Sequence, residues 1–174
     1  MRALLRSPWH EERLLALLIL VRQYQRGDAV RRDQIYRLYL SGTRRINNWD
    51  LVDCSAGHIV GAHLLGRDRR VLERLARSRL LWDRRVAIIA TSHFIGRGDF
   101  ATTLRIARLL RDDEHDLIHK AVGWMLREVG KKDRAVLEAF LQRHAARMPR
   151  TMLRYSIERF PEPLRRRYLS AGRA

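Results

Sequence analysis

The chain has 174 residues, of which 46% are hydrophobic, so it is long and apolar enough to fold as one domain or one compact repeat array. Lys and Arg number 36 against 19 Asp and Glu, which gives a strongly basic chain with a formal net charge of +17. This excess indicates an anionic partner, with nucleic acid first and an acidic membrane or protein second. Nearly all of the positive charge is arginine, which binds phosphate bidentately and stacks on flat rings.

Cysteine usage and hydropathy exclude further classes. Cys54 is the single cysteine, so an internal disulfide framework is excluded and a reducing cytoplasm is expected. The longest apolar run, Leu14–Val21, is too short to span a bilayer, and no signal-peptide pattern precedes it. The histidines show no metal-site spacing and there is no glycine-rich phosphate loop. We therefore expect a cytoplasmic protein with no metal, no cofactor, no membrane and no obligatory protein partner.

Helical periodicity runs along the whole chain, and no alternating strand pattern competes with it. Ser7 as N-cap and Pro8 at the first helical position predict a helix that runs to about Arg26. The further predicted helices are Asp28–Leu40, a third to Gly66, a fourth from Asp68, a fifth from Leu80 to a break at Gly96, a sixth capped by Asp99, Asp116–Val129, an eighth opened by Asp133, Met148–Phe160 and Pro161–Leu169.

These helices group into pairs of about 35 to 45 residues, which is the period of HEAT-like repeats. The predicted fold is therefore all-α: a curved α-solenoid of HEAT-like antiparallel helix pairs in a single domain over residues 1–174. Such an array offers a concave surface built from one helix of each pair. The tryptophans fall on the first helices of four successive pairs, and a basic concave face wide enough for a duplex is expected: Trp9, Trp49, Trp82 and Trp124.

The stretch Ile46–Cys54 holds the candidate site. If Asn47 or Asn48 caps a helix, Trp49 and Asp53 project from one face, so that a flat apolar ring lies beside a carboxylate. Asp50 points about 100° away around the helix, which leaves Asp53 as the charge of the site. By itself, the pair also fits a core tryptophan next to a solvated or salt-bridged acid.

Two further elements lie on the first helices of the following pairs: Arg84 with Arg85, and Lys120 with Trp124. In a right-handed stack of pairs these helices are neighbours. We therefore expect the three elements to converge on one face.

The three motifs together resemble the AlkD-like family of DNA alkylation repair glycosylases. They are Ile-Asn-Asn-Trp-Asp-Leu-Val-Asp from Ile46, Trp-Asp-Arg-Arg-Val-Ala-Ile-Ile from Trp82, and Ile-His-Lys-Ala-Val-Gly-Trp-Met-Leu-Arg-Glu from Ile118. They stand in the family's order and approximate spacing, and the resemblance runs from about Pro8 to Phe160.

The resemblance implies a DNA glycosylase of base excision repair. Its substrates would be cationic alkylated bases of the N3-methyladenine and N7-methylguanine types in duplex DNA, removed without flipping the base. Asp53 would be the catalytic carboxylate, and Trp49 and Trp124 would pack on the deoxyribose and backbone of the damaged nucleotide. Arg85 would hold the phosphate, with Arg84 as the adjacent alternative.

The residue chemistry agrees with that activity. A base alkylated on a ring nitrogen is already cationic, so it can leave without a general acid. A carboxylate beside the sugar then stabilises the developing positive charge or orients a water. Lys120 is expected to contact phosphate rather than to form a Schiff base, so a monofunctional enzyme is expected.

The sequence departs from the family at its N-terminus, where members usually carry further helices before the position that matches Pro8. Arg2 and Arg6 are expected to belong to a remnant of the helix that precedes it. A second hypothesis is a non-catalytic HEAT-repeat protein that binds damaged or branched DNA by shape. Asp53 beside Trp49 favours the enzyme, and a HEAT-type protein scaffold would not need a charge of +17.

Overall fold

The structure is a computed structural model that describes residues 1–171. No residue in this range lies in a β-strand, so the predicted all-α class is confirmed. Within the same range, no helix has both the length and the apolar character needed to cross a membrane. The chain divides into two compact units, the first over Met1–His93 and the second from Phe94 onward.

The first unit carries the candidate site on short helices that pack against two longer ones. A 3₁₀ turn at Thr43–Arg45 precedes the helix that carries Trp49 and Asp53, and a π-helical segment, Gly57–Gly61, follows that helix. The α-helices are α1 (Arg2–Arg6), α2 (His10–Arg26), α3 (Ala29–Ser41), α4 (Trp49–Asp53), α5 (Arg70–Ala76) and α6 (Leu81–Ile89), with the short α7 (Ser92–Ile95) where the unit ends.

The second unit is centred on one long helix, α9 (Asp116–Lys132), which packs against three other helices of the unit. Its buried side chains, among them Ile118, Val122, Met125 and Leu126, recur at helical spacing and form the core of the unit. The helices are α8 (Ala101–Leu109), α9 (Asp116–Lys132), α10 (Arg134–His144), α11 (Arg150–Ser156) and α12 (Glu162–Ala171).

Side-chain caps confirm three of the predicted helix starts. An Asp28 carboxylate oxygen accepts a hydrogen bond from the Arg31 N–H at 2.8 Å, and Asp133 caps α10 in the same way through the Val136 N–H at 3.1 Å. The Asn48 side chain accepts from the Trp49 N–H at 2.8 Å. Asn48 therefore fixes the residue at which the site helix α4 begins.

The predicted start of the first long helix is wrong by two residues. Ser7 does not cap a helix that begins at Pro8; its Oγ accepts from the Trp9 N–H at 3.1 Å and holds a turn, and α2 begins at His10. The helix predicted to start at Asp99 begins two residues later, because α8 starts at Ala101. The Asp99 N–H donates to the Phe94 carbonyl at 3.1 Å, in the turn before α8.

The third predicted helix is interrupted rather than continuous to Gly66. α4 ends at Asp53, where the buried Ser55 Oγ donates to the Leu51 carbonyl, and the chain then continues as the π-helical segment. This segment lies very close to the chain that follows α6, because an ideal Cβ at Gly61 would stand only 2.1 Å from the Ala90 carbonyl oxygen.

Two predicted helix ends also differ. α9 does not stop at Gly130 but continues to Lys132, because Gly130 serves close packing: a Cβ there would lie 2.4 Å from a methyl group of Leu137. α11 ends at Ser156 rather than Phe160, and Ser156 Oγ donates back to the Met152 carbonyl at 2.8 Å.

Candidate active site

The centre of the candidate site is a bidentate ion pair between Asp53 and Arg85. Arg85 Nε donates to one carboxylate oxygen of Asp53 at 2.8 Å, and Arg85 Nη2 donates to the other at 2.7 Å. The two side chains are 15% and 6% exposed, so the pair is largely shielded from water. This fork geometry fixes both oxygens of the carboxylate in one orientation.

The pair joins two helices of the first unit. Asp53 is the last residue of α4, and Arg85 lies in the middle of α6, where Val86, Ile88 and Ile89 are buried and anchor the helix. Because α4 packs on α6, the two residues meet although 32 positions separate them. The rigid element α6 therefore holds the carboxylate that α4 presents.

Trp49 stands one helical turn before Asp53, at the first position of α4. Its side chain is unusual for a tryptophan because 53% of the residue is exposed. It is therefore not the core anchor that the alternative interpretation requires. An open aromatic face lies one turn from a fixed carboxylate, which is an arrangement that can pack on a ligand and place a negative charge beside it.

Asp50 has a different partner from Asp53. One of its carboxylate oxygens lies 2.7 Å from His10 Nε2, and the other accepts the Leu51 N–H at 2.8 Å. Asp50 therefore ties the start of α4 to the first turn of α2, while Asp53 points toward α6. The sequence prediction that the two acids face different directions agrees with these contacts.

Buried hydrogen bonds stabilise the end of α4. The fully buried Tyr39 hydroxyl lies 3.0 Å from Ser55 Oγ, which in turn donates to the Leu51 carbonyl. Burial raises the pKa of the Tyr39 phenol, so the hydroxyl stays protonated and available as a donor. Helical spacing predicts that Tyr39 faces inward, but no local motif marks Tyr39 or Ser55 as a support of the site.

Cys54 and Arg84 each adjoin one member of the Asp53–Arg85 pair but differ from it in environment. Burial, followed by the nearby Asp50 charge, raises the pKa of the Cys54 thiol, so this cysteine is not prepared as a nucleophile. Arg84 Nη1 donates to the Ser78 and Arg79 carbonyls, both at 3.1 Å, and so holds the turn before α6. In residues 1–171 no three His, Cys, Asp or Glu side chains are grouped so that they could hold a metal ion.

Lys120 and Trp124 lie in the second unit, one turn apart on α9. The Lys120 ammonium is 2.7 Å from Asp116, and the Trp124 indole N–H donates to Glu128 at 3.1 Å. Both side chains are partly exposed. They form a stripe with alternating charges along the helix, with the indole ring between its two ends.

The sequence and the fold are both similar to those of known proteins. The model of the family described as DNA alkylation repair enzyme matches residues 1–160. A solved structure described as a predicted DNA alkylation repair enzyme from Enterococcus faecalis is similar with a TM-score of 0.71, at 17% identity, over 92% of this chain and 74% of that chain. That likeness shows a shared fold. No curated protein matches the chain. Since the family model extends over nearly the whole sequence, the chain belongs to the DNA alkylation repair enzyme family.

Proposed function

We propose that the protein is a monofunctional DNA glycosylase, which hydrolyses the N-glycosidic bond of cationic alkylated bases in duplex DNA without base flipping. Membership of the DNA alkylation repair enzyme family supports a role in DNA repair. Bases of the N3-methyladenine and N7-methylguanine types are the proposed substrates, and no cofactor is required.

One observation carries the proposal: a carboxylate held by two hydrogen bonds lies one helical turn from an exposed tryptophan. As the glycosidic bond breaks, positive charge develops on the deoxyribose. Asp53 is oriented before the reaction and can stabilise that charge or position the attacking water. The Trp49 ring packs on the cationic sugar or base, which contributes about 0.5 to 2 kcal/mol.

Arg85 has two tasks in this proposal. It orients Asp53, and its positive charge attracts the phosphate of the damaged nucleotide. Arg85 is favoured over Arg84 as the phosphate contact because it lies at the carboxylate, whereas Arg84 is bonded to the Ser78 and Arg79 carbonyls.

Trp124 and Lys120 are the proposed DNA contacts of the second unit. The partly exposed Trp124 ring offers an apolar face to the deoxyribose backbone, and the Lys120 ammonium offers a charge to a phosphate. The curved stacking of HEAT-like helix pairs is part of the same proposal, as is action on DNA in the cytoplasm.

A second candidate function is a non-catalytic protein that binds damaged or branched DNA by shape. The observation that favours it is that Arg85 already occupies both oxygens of Asp53, as expected of a structural ion pair. In that case Asp53 would have no task on the substrate, and its replacement would change stability without changing chemistry.

Release of N7-methylguanine from methylated duplex DNA tests the proposal. The Asp53→Asn variant keeps the shape of the side chain but loses the charge, so we expect release to fall by about 100- to 1,000-fold. Asp50→Asn is the matched control, because it removes a carboxylate from the same helix. We expect that control to keep release within about threefold of the wild type, well under the effect of losing transition-state electrostatics.

Stability has to be separated from chemistry in this test. Asp53→Asn leaves Arg85 buried without its counter-charge, which costs about 3 to 5 kcal/mol. The double variant Asp53→Asn with Arg85→Met removes both charges, so we expect it to recover much of the lost melting temperature and still to release no base. Equal release by the wild type and the folded Asp53 variants would exclude Asp53 as the catalytic carboxylate, and no release by the wild type would contradict the glycosylase activity itself.

A further inference from the structure

The second unit contains a groove between α8 and α10 that the proposed glycosylase site does not use. Its floor is apolar and is formed by Leu104, Val136, Ala139 and Phe140, and its volume is about 350 Å³. No lining residue belongs to α9, the helix that carries Trp124 and Lys120. We call this feature the α8–α10 groove.

Arginine side chains form the walls of the α8–α10 groove. Arg105 and Arg108 lie on α8, and Arg143 lies on α10. No carboxylate is among the residues that line the groove. The His144 ring lies 4.6 Å from the Phe140 ring, tilted by 53° to it, at the edge of the floor.

Three arginines in or beside the groove are not neutralised by an ion pair within the described part of the chain. Arg108, Arg143 and Arg147 make no hydrogen bond or ion pair in residues 1–171, whereas Arg111 beside them is held by Asp112. Burial, together with the charges of Arg111, Arg108, Arg143 and Arg147, lowers the pKa of His144. Several like charges are therefore concentrated at one concave place, which is costly unless an anion neutralises them.

The dimensions and the side chains of the groove limit its ligand. A cavity of this volume is comparable to a small-ligand site and cannot take up a duplex. Proteins that bind single-stranded nucleic acid combine a positively charged groove with aromatic side chains on which bases stack. Phe140 and His144 are the aromatic side chains of this groove. The cations without an ion-pair partner are all arginines, which bind phosphate bidentately and also stack on bases. An acidic peptide would match the charge, but it would not require the two aromatic rings.

We propose that the α8–α10 groove binds single-stranded DNA. One base lies on the apolar floor beside the Phe140 and His144 rings, and the flanking phosphates pair with Arg108, Arg143 and Arg147. The groove lies entirely within the second unit, whereas Asp53 and Arg85 lie in the first. The proposal therefore does not depend on the proposed glycosylase activity.

The test measures binding of the full chain to a fluorescein-labelled single-stranded 12-mer and to the matching duplex by fluorescence anisotropy. The triple variant Arg108→Gln, Arg143→Gln, Arg147→Gln removes the proposed phosphate contacts. We expect its affinity for the single strand to fall at least tenfold, and the slope of log K against log salt to become shallower by about 2.

Two further variants separate local contacts from bulk charge. The control triple Arg6→Gln, Arg22→Gln, Arg26→Gln removes the same charge from exposed positions of the first unit, and we expect single-strand affinity to change by less than threefold. Ala139→Ile fills part of the floor with an aliphatic side chain and does not change the charge, so we expect it to weaken single-strand binding and to leave duplex binding unchanged. Thermal melting checks that each variant is folded.

Three results would overturn the proposal. The first is an equal effect of the groove triple and the control triple on the single strand, which would indicate bulk charge only. The second is an equal loss of duplex and single-strand binding by the groove triple, which would make the groove a duplex contact. The third is unchanged single-strand binding by both groove variants while a Glu- and Leu-rich peptide loses affinity, which would make it a peptide site.

Discussion

At the scale of single residues, Tyr39 illustrates how a buried side chain positions the candidate site without touching it. Its hydroxyl lies against Ser55 Oγ, and Ser55 donates to the Leu51 carbonyl at the point where α4 ends. All three residues are fully buried, so no water replaces a lost partner. The orientation of Asp53 therefore depends on a residue of α3.

Tyr39→Phe should destabilise the protein by about 1 to 2 kcal/mol, because Ser55 loses its buried hydrogen-bond partner. Urea unfolding followed by circular dichroism measures the difference. Tyr36→Phe is the matched control on the same helix, since the Tyr36 hydroxyl makes no hydrogen bond within residues 1–171. If the control is as unstable as Tyr39→Phe, the loss does not come from the hydrogen bond.

His63 makes the stability of the fold depend on pH. Its ring stacks on Tyr36 with centroids 4.0 Å apart, and burial, followed by the Arg67 charge, lowers its pKa below the usual value. The folded state therefore favours the neutral ring, whereas the unfolded chain takes up a proton near pH 6.5. The contribution of His63 to stability is complete above that pH and is lost as the pH falls through the lower, folded-state pKa.

We expect the wild type to lose more free energy of unfolding between pH 7.5 and pH 5.5 than the His63→Phe variant does. Phenylalanine keeps the stacked ring but does not titrate. Urea unfolding at both pH values measures the two differences. The pKa of His144 is also lowered, but this residue is present in both proteins and cancels. Parallel losses in the two proteins would show that His63 does not cause the acid response.

At the scale of secondary-structure elements, the π-helical segment after α4 exists because two glycines let it approach the chain that follows α6. A Cβ at Gly61 would lie 2.1 Å from the Ala90 carbonyl and 2.8 Å from His93 Cβ. A Cβ at Gly57 would meet chiefly Ser92 Oγ, at 2.3 Å, and that hydroxyl can rotate away. We therefore expect Gly57 to tolerate an added methyl group better than Gly61 does.

Gly61→Ala should destabilise the protein by about 3 kcal/mol, because the backbone carbonyl of Ala90 cannot move without disturbing α6. Gly57→Ala should cost less than about 1 kcal/mol, since the gain in helix propensity partly offsets the contact. Thermal melting of the two variants gives the comparison. Equal melting temperatures would mean that the segment can move away from α6 at little cost.

The helices themselves were predictable from the sequence because their signals are local. Asn48 and Asp133 confirm this, since each caps a helix whose start lies within three residues of the cap. The π-helical segment after α4 was not predictable, because Gly61 approaches Ala90, which is distant in sequence. The end of α9 was not predictable either, because Gly130 packs against Leu137 of the next helix and does not stop α9. A glycine pattern does not show whether the glycine stops a helix or allows another chain to approach it.

The same distinction applies to the candidate site. Trp49 and Asp53 share one helical turn, so spacing alone predicted their common face. The bidentate bond between Asp53 and Arg85 spans 32 positions and depends on how α4 packs on α6. The sequence singled out both residues but did not predict that they bond to each other, and it missed the bond of His10 to Asp50 altogether.

At the scale of the whole molecule, the arginines behind the net charge of +17 differ in whether a carboxylate neutralises them. Many guanidinium groups are engaged by carboxylates, as in the pairs of Arg85 with Asp53 and Arg134 with Glu138. Others, such as Arg108 and Arg143, have no ion-pair partner in the described residues. Phosphate contacts are therefore expected from a subset of the cations, and the salt dependence of DNA binding reports how many take part.

Raising the salt concentration from 50 to 200 mM should lower the affinity for a duplex by about 100-fold if about four phosphates are neutralised on binding. Fluorescence anisotropy with a labelled duplex measures this, and the same titration with glycine betaine at equal osmolality controls for water activity. A protein scaffold that happens to be rich in arginine would show weak duplex binding at every salt concentration. A steep slope supports DNA as the partner of both the enzyme and the non-catalytic alternative, so only the Asp53→Asn comparison separates these two. A flat salt response would contradict them together and would leave the excess of arginine without a nucleic-acid explanation.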